Sequence, residues 1–354
     1  MSQVALIMAG GTGGHIFPGL ALAEGLRQNG WQVHWLGAPE PSMESQLVPP
    51  QGYRLWPVDF AGVRGKGWRT LMKLPARLWR AWSQSRQVLR QIRPAVVVGL
   101  GGYITVPGGL AARALGIPLL LHEQNSIAGM ANRLLARLAR QTFTAFPDAL
   151  AGARWVGNPL RAAFLQQAEP AQRFSGRSGP LRVLVVGGSL GAQALNEVVP
   201  QALALLSPED RPQVVHQSGA KQIDALRSHY AQAGVQAELT PFIEDTAGAY
   251  AQADLVICRA GASTVTELAA VGAAALFVPF PHAVDDHQTH NARFLVDRQA
   301  AWLCPQGQLT AASLAERIKG LDRDQLRAVA ERAHACRHIR AVEQMVQACQ
   351  EVVA

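Results

Sequence analysis

An α/β protein of two doubly wound domains is the fold class that this 354-residue sequence predicts, on three observations. Short apolar runs with strand character alternate with helical patterns over nearly the whole length. The series strand, glycine-rich loop, helix opens the chain and returns near residue 181. Between the two, residues 162–180 lose periodicity and collect Gly, Ser and Pro, which reads as a linker.

Taken in order, residues 4–8 are an apolar strand. The loop Ala9-Gly10-Gly11-Thr12-Gly13-Gly14-His15 then runs into a helix around residues 20–26. Such a loop aims backbone N–H groups past the carboxyl edge of the sheet, and the helix end adds partial positive charge, which suits a phosphate. His15 is not needed for that purpose, and an imidazole is suited to proton transfer near neutral pH. A plain tight turn is the structural alternative for the glycines.

A second strand falls near residues 33–36, a short helix near 43–48 and a third strand near 53–58. Residues 60–94 then hold nine basic side chains and no acidic one, with Leu71, Leu74, Leu78, Trp82, Leu89 and Ile92 at helical spacing and Trp68, Met72 and Trp79 off that stripe. Two readings stay open together: a helix packed on the sheet with a solvated basic face, and a surface that meets anionic lipid. Nucleic acid is disfavoured, because no stacking motif or DNA-binding pattern accompanies the charge. A strand at 95–98 ends in Gly99-Leu100-Gly101-Gly102, a helix covers about 107–115, and a strand at 118–121 delivers His122-Glu123-Gln124-Asn125 to the same edge. Polar residues at successive strand ends are where open α/β sheets hold ligands, and a buried His-Glu pair is the alternative. A helix over 128–140 and a strand near 142–146 lead to Gly157-Asn158-Pro159-Leu160-Arg161.

The second half repeats the opening: strand 181–186, loop Gly187-Gly188-Ser189-Leu190-Gly191-Ala192, helix 193–205. Further strands are expected near 214–217, 235–239, 255–258 and 273–278. The third opens into Arg259-Ala260-Gly261-Ala262-Ser263-Thr264-Val265-Thr266-Glu267, a helix start that either caps itself with Ser263 and Glu267 or holds a ribose diol and phosphate. Asp285, Asp286, His287 and His290 invite a metal, but the two acids stand where a helix begins and are expected to cap it. Two Rossmann-like domains of this kind, facing each other, make a cleft with a glycine loop on each wall.

The charge is lopsided. Residues 1–160 carry sixteen Lys and Arg against six Asp and Glu, while residues 161–354 carry seventeen against nineteen. No run of 18 apolar residues and no signal-peptide pattern occurs, so a cytoplasmic or peripherally membrane-bound protein is expected. The four cysteines lack CxxC spacing and read as reduced thiols rather than disulfides or zinc ligands.

Six motifs in order now carry a resemblance over essentially the whole chain. Gly10-Gly11-Thr12-Gly13-Gly14-His15, His122-Glu123-Gln124-Asn125, Gly157-Asn158-Pro159-x-Arg161, Gly187-Gly188-Ser189-x-Gly191-Ala192, Cys258-Arg259-Ala260-Gly261-Ala262-x-Thr264-x-x-Glu267 and Asp285-x-His287-Gln288-x-x-Asn291-Ala292 resemble the MurG family of glycosyltransferases. The resemblance implies a GT-B fold: two Rossmann-like doubly wound domains facing a deep cleft. It divides the chain into an acceptor and membrane-facing domain at 1–161, a linker at 162–180, a donor domain at 181–340 and a C-terminal helix at 341–354 that crosses back to the first domain. It implies transfer of N-acetylglucosamine from UDP-GlcNAc to the MurNAc 4-hydroxyl of lipid I, giving lipid II for peptidoglycan. The enzyme would be peripheral on the cytoplasmic face of the inner membrane, on an anionic surface, with no cofactor, no metal and no nucleic acid.

Residue by residue, the resemblance puts the uracil against Ile243, the ribose against Glu267 and the diphosphate on Ser189 with the turn of Ala262, Ser263, Thr264, Val265 and Thr266. Gln288 would hold the sugar hydroxyls and Arg161 the leaving phosphates. Thr12, Gly13, Gly14 and Asn125 would close over the donor and orient the acceptor, and the first glycine loop would face the acceptor pyrophosphate. His15 is the candidate base, with Glu123 able to share or take that role. A hydrolysing UDP-GlcNAc 2-epimerase and a non-catalytic nucleotide-sugar-binding membrane scaffold are the competing readings.

Overall fold

The computed structural model describes residues 3–60, 72–188 and 191–353, with the Val284 side chain excepted. The chain forms two compact units, Met1–Arg161 with His338–Ala354, and Ala162–Arg337. Each is built on its own parallel sheet.

In the first unit the described strands are β1 (Val4–Met8), β2 (Gln32–Gly37), β3 (Arg54–Pro57), β4 (Val96–Gly99), β5 (Leu119–Glu123), β6 (Gln141–Thr144) and β7 (Arg154–Trp155). They lie in the order β3-β2-β1-β4-β5-β6-β7. The helices are α1 (Gly13–Gln28), α2 (Met43–Leu47), α3 (Leu74–Ile92), α4 (Thr105–Ala114) and α5 (Met130–Leu135). Strand side chains alternate between faces, so an all-apolar strand serves two cores at once. In β1, Ala5 and Ile7 join a cluster with Leu22 and Leu26 of α1. Leu6 and Met8 join the opposite cluster with Ala81 and Leu89 of α3 and Ala111 of α4.

The second unit begins with α6 (Ala162–Leu165) and α7 (Pro170–Phe174). Its strands are β8 (Arg182–Val186), β9 (Gln213–Gln217), β10 (Glu238–Thr240), β11 (Leu255–Cys258), β12 (Ala275–Phe277) and β13 (Trp302–Leu303), in the order β10-β9-β8-β11-β12-β13. The remaining helices are α8 (Gln193–Ala204), α9 (Ile223–Ala233), α10 (Thr246–Gln252), α11 (Ala262–Val271), α12 (His287–Val296), α13 (Ala311–Lys319) and α14 (Arg323–Ala335). One sheet face is covered by Leu195, Leu226, Leu314 and Leu326, drawn from α8, α9, α13 and α14.

The last helix, α15 (Ala341–Glu351), returns to the first unit and packs Met345 and Val346 into the same cluster as α1. Gly25 of α1 makes room for it, since a Cβ there would overlap Val342. Burying two such side chains contributes about 1.5–3 kcal/mol each.

The aperiodic stretch at 162–180 belongs to the second unit. Phe164 and Phe174 are buried, and the Arg173 guanidinium donates to the carbonyls of Ala251 (2.7 Å) and Val271 (2.8 Å). Arg177 pairs with buried Asp254, which also accepts from the Arg182 N–H at 2.8 Å. Side-chain donors aimed at backbone carbonyls anchor this stretch, and they leave no apolar period in the sequence. The helix expected over 128–140 stops at Leu135, where turn bonds such as Leu138 N–H to the Leu135 carbonyl (2.8 Å) replace the α-helical ladder.

Among the described residues no helix is long and apolar enough to cross a membrane. On α3, Trp79 is 68% exposed and stacks on Trp82 at 4.9 Å, with the Arg86 guanidinium over the Trp82 ring. Met72, Met130 and Leu134 are also exposed. Trp68 and the rest of residues 61–71 lie outside the described residues.

Candidate active site

In the first unit the site is built at the carboxyl ends of β1, β4 and β5. Gly11 has φ +87°, a backbone region that L side chains rarely adopt, and it turns the chain from β1 into α1. Gly102 of the β4–α4 loop sits so close to the Gly10 carbonyl that any side chain would collide. Thr12 precedes α1 in extended geometry and makes no side-chain cap. Helix geometry therefore leaves the N–H groups of Gly13 and Gly14 without intrahelical acceptors.

His15 stands one turn in. Its Nδ1 lies 3.1 Å from the Gly10 carbonyl oxygen and 3.2 Å from Thr12 Oγ1. A carbonyl oxygen only accepts, so Nδ1 carries the proton, and whenever the ring is neutral its lone pair is on Nε2. Gly101 borders the ring, and a Cβ there would fall 3.0 Å from Nε2.

The polar end of β5 is a packed floor. His122 Nε2 donates to the Gly157 carbonyl at 2.8 Å, and Nδ1 accepts from Gln124 Nε2 at 3.1 Å. Burial pushes its pKa down to about 4, against smaller raising effects of the Gly157 bond and the Glu123 charge. Glu123 is buried, with Oε1 accepting from the Asn125 N–H (2.9 Å) and Oε2 from the Gly129 N–H (3.0 Å) and Asn132 Nδ2 (2.9 Å). A carboxylate so engaged holds the Asn125 turn in shape, and both its oxygens are occupied by donors. Arg161 is exposed, with its guanidinium 5.3 Å from the Phe17 ring centroid.

The second unit repeats the arrangement at its own carboxyl edge. Gly188, with φ +82°, is clamped by Gln217, whose Oε1 accepts the Gly188 N–H at 3.1 Å while Nε2 donates to the Gly188 and Pro241 carbonyls at 3.1 and 3.0 Å. Ser189 lies outside the described residues. Beneath the loop, Tyr230 donates to His216 Nδ1, and His216 Nε2 donates to Asn196 Oδ1, both at 3.0 Å. Burial pushes His216 down to about 3. A cavity of about 360 Å³ over the start of α8 is lined by Gly191, Gln193, Arg259 and Phe280. A larger groove of about 900 Å³ runs along the sheet face beside β8, β9 and α10, with Ile243 in its wall. The smaller one sits where open α/β sheets bind ligands.

The start of α11 does not cap itself. Its N-cap is Gly261, no side-chain cap is formed, and Thr266 Oγ1 instead donates back to the Ala262 and Ser263 carbonyls at 2.9 and 3.0 Å. Ser263 Oγ is buried without a hydrogen-bond partner among the described residues. A glycine cap leaves the N–H groups of Ala262, Ser263 and Thr264 for a ligand, with Val265 buried behind them. Gln288 spends its amide oxygen on the Phe280 N–H (2.9 Å) and the Ala260 N–H (3.3 Å), tying the loops after β11 and β12. Asp286 does not cap the α12 backbone: it adopts φ +49° and accepts from Thr289 Oγ1 at 2.7 Å.

Residues 5–144 match the glycosyltransferase family 28 N-terminal domain and residues 182–349 its C-terminal domain. The UDP-N-acetylglucosamine--N-acetylmuramyl-(pentapeptide) pyrophosphoryl-undecaprenol N-acetylglucosamine transferase of Albidiferax ferrireducens is 65% identical over 353 residues, 99% of this chain and 91% of that protein. Acinetobacter baumannii MurG, a solved structure, is 41% identical with a TM-score of 0.85, each chain covered to 99%. The chain belongs to the MurG family. Solved glycosyltransferases outside it, such as VinC at 17% identity and TM-score 0.68, share the fold alone.

Within the MurG-family framework the first unit gathers Thr12, Gly13, Gly14 and His15 at one strand edge. The second gathers Gln288 with the turn at 262–267, where Glu267 stands half-buried. Ile243 stands apart on the α10 side, and its carbonyl accepts from Thr246 Oγ1 at 3.4 Å. Two residues escaped the sequence reading, Gln217 and Glu44. Glu44 is 1% exposed, and its Oε1 accepts the Gly11 N–H at 3.2 Å and the Ala38 N–H at 3.4 Å. The Gly11 N–H, assigned from sequence to an anion, is thus already taken.

Proposed function

We propose that this chain transfers N-acetylglucosamine from UDP-GlcNAc to the MurNAc 4-hydroxyl of lipid I, giving lipid II. The observation that carries the reading is identity of 65%, over nearly the whole chain, to a transferase whose name specifies that donor and acceptor. Donor binding falls to the second unit. The N-termini of α8 and α11, with Ser189 and Ser263, take the diphosphate, Glu267 the ribose, Ile243 the uracil and Gln288 the sugar. The first unit supplies the base. The acceptor oxygen attacks C1 of the sugar, its proton passes to His15 Nε2, and the bond from C1 to UDP breaks with inversion. Helix N–H groups and Arg161 offset the charge on departing UDP, so the step is assigned no metal.

Glu123 is given a supporting role, since its oxygens already accept four backbone or amide donors and hold Asn125. The exposed Trp79 and Met72 with the arginines of α3 form the surface that meets anionic lipid on the cytoplasmic side, as a polyprenyl-pyrophosphate acceptor requires. Turnover of UDP-GlcNAc with a short-chain lipid I analogue tests the reading. Disaccharide plus UDP supports it, ManNAc plus UDP points to the epimerase, and binding without turnover points to a scaffold.

A further inference from the structure

We propose that Glu44 is a positioning residue for His15, acting through the Gly10–Gly11 peptide group. The N–H and the C=O of that one peptide face opposite partners. The N–H, on Gly11, donates to Glu44 Oε1 at 3.2 Å, and the C=O, on Gly10, accepts from His15 Nδ1 at 3.1 Å. Carboxylate, amide and imidazole therefore form one hydrogen-bonded chain. An amide whose N–H is bound by an anion has a more negative carbonyl oxygen, because hydrogen bonds in series polarise one another.

The surroundings are shaped for this. Glu44 lies in α2, whose start is fixed by a reciprocal cap between Ser42 and Ser45. Gly10 and Gly37 lack the Cβ atoms that would crowd it: one on Gly10 would collide with Oε1, and one on Gly37 would lie 3.2 Å from the Glu44 Cβ. The carboxylate is buried and forms no ion pair among the described residues, an arrangement that costs stability and calls for a compensating role. Titratable groups around the loop among the described residues include Glu44 from α2 and Tyr103 from the β4–α4 loop, the latter raised by burial and then by the Glu44 charge. His122 and Glu123 at the end of β5 are committed to their own partners.

The arrangement does two things for a base. It keeps the proton on Nδ1, so that Nε2 presents the lone pair, and it favours the imidazolium that forms when Nε2 takes the acceptor proton. A carboxylate orienting a histidine directly performs these tasks in hydrolytic triads, and here a peptide group stands between the two. The catalytic half of this inference rests on His15 being the base.

Histidine ¹⁵N NMR on the full-length protein tests the coupling apart from activity. Near neutral pH the wild-type His15 is expected as the Nδ1–H tautomer, and an Nε2–H tautomer would overturn the proposal even if no variant folds. Glu44→Gln keeps an oxygen for the Gly11 N–H but removes the charge, so the His15 pKa should fall by about half to one pH unit. The acid limb of kcat/KM should move to lower pH by the same amount, kcat should drop about 3- to 30-fold, and KM for UDP-GlcNAc should stay within about twofold. An unchanged His15 pKa in Glu44→Gln, or in Glu44→Ala should the first variant not fold, also overturns it. Full activity of His15→Ala would remove the base assignment while leaving the measured coupling intact, so the two failures are distinguishable.

Discussion

Acid should weaken each unit through one buried histidine. His122 in the first unit and His216 in the second are neutral in the folded state, with pKa values pushed down to about 4 and about 3, chiefly by burial. In the unfolded chain both return to about 6.5. Below that value the unfolded state takes up a proton that the native state refuses. The stability that depends on their neutrality is complete above pH 6.5 and falls through the window between 6.5 and the native values. Each pH unit in the window costs about 1.4 kcal/mol per group, so at pH 5 each unit loses about 2 kcal/mol. Against a typical total of about 5–15 kcal/mol this is large, and it corresponds to roughly 4–8 °C in Tm for a unit of this size.

Calorimetry or circular dichroism melts between pH 7.5 and 5 read the effect directly. A Tm that stays flat across this range would refute the reasoning. So would an equal slope in His216→Gln, which removes the titrating ring from the Tyr230–His216–Asn196 chain. The same experiment bears on activity, because His122 holds the Gly157 carbonyl beneath the first unit's polar edge. Loss of rate below pH 6 should therefore combine reversible protonation of the base with cooperative unfolding, and rapid pH-jump assays separate the two.

His15→Ala should lower kcat by about 10²–10⁴ with little change in UDP-GlcNAc affinity, and near-wild-type kcat would remove His15 from the mechanism. Replacing Trp79 with Ser and three arginines of α3 with Gln should weaken binding to anionic vesicles while sparing donor binding, and unchanged vesicle sedimentation would sink the membrane assignment. Gln217→Glu should raise KM for UDP-GlcNAc about tenfold or more by placing a charge beneath the second glycine loop, whereas an unchanged KM in a folded variant would argue against diphosphate at that loop.

Much of the architecture was legible because parallel strands buried on both faces are apolar throughout, as in Val96-Val97-Val98 and Leu255-Val256-Ile257. The segment at 162–180 was not, since Arg173 and Arg177 hold it by bonds to backbone carbonyls and to Asp254, which leave no period to read. As candidates, the glycine loops and His15 could be found from local order alone. His122 drew attention by its position at a strand end, yet it serves the core. Glu44 and Gln217 were illegible for a different reason. Glu44 comes from helix α2 and Gln217 from strand β9, 33 and 29 residues from the glycines they hold, and only the fold brings them together.

The two halves can be compared at one atom. In each glycine loop a residue with positive φ, Gly11 in the first unit and Gly188 in the second, gives its N–H to a buried side chain from another element, Glu44 of α2 and Gln217 of β9. In the first unit that side chain is the Glu44 carboxylate, and in the second it is the neutral Gln217 amide. Otherwise similar backbone turns therefore have different electrostatics. A negative charge 3.2 Å from the Gly11 nitrogen opposes a phosphate above that loop and favours a protonated imidazole beside it. A neutral amide at 3.1 Å from the Gly188 nitrogen fixes the second loop without repelling an anion. One residue type at each loop thus fits the proposed division, proton transfer in the first unit and diphosphate binding in the second, although the glycine motifs alone look interchangeable.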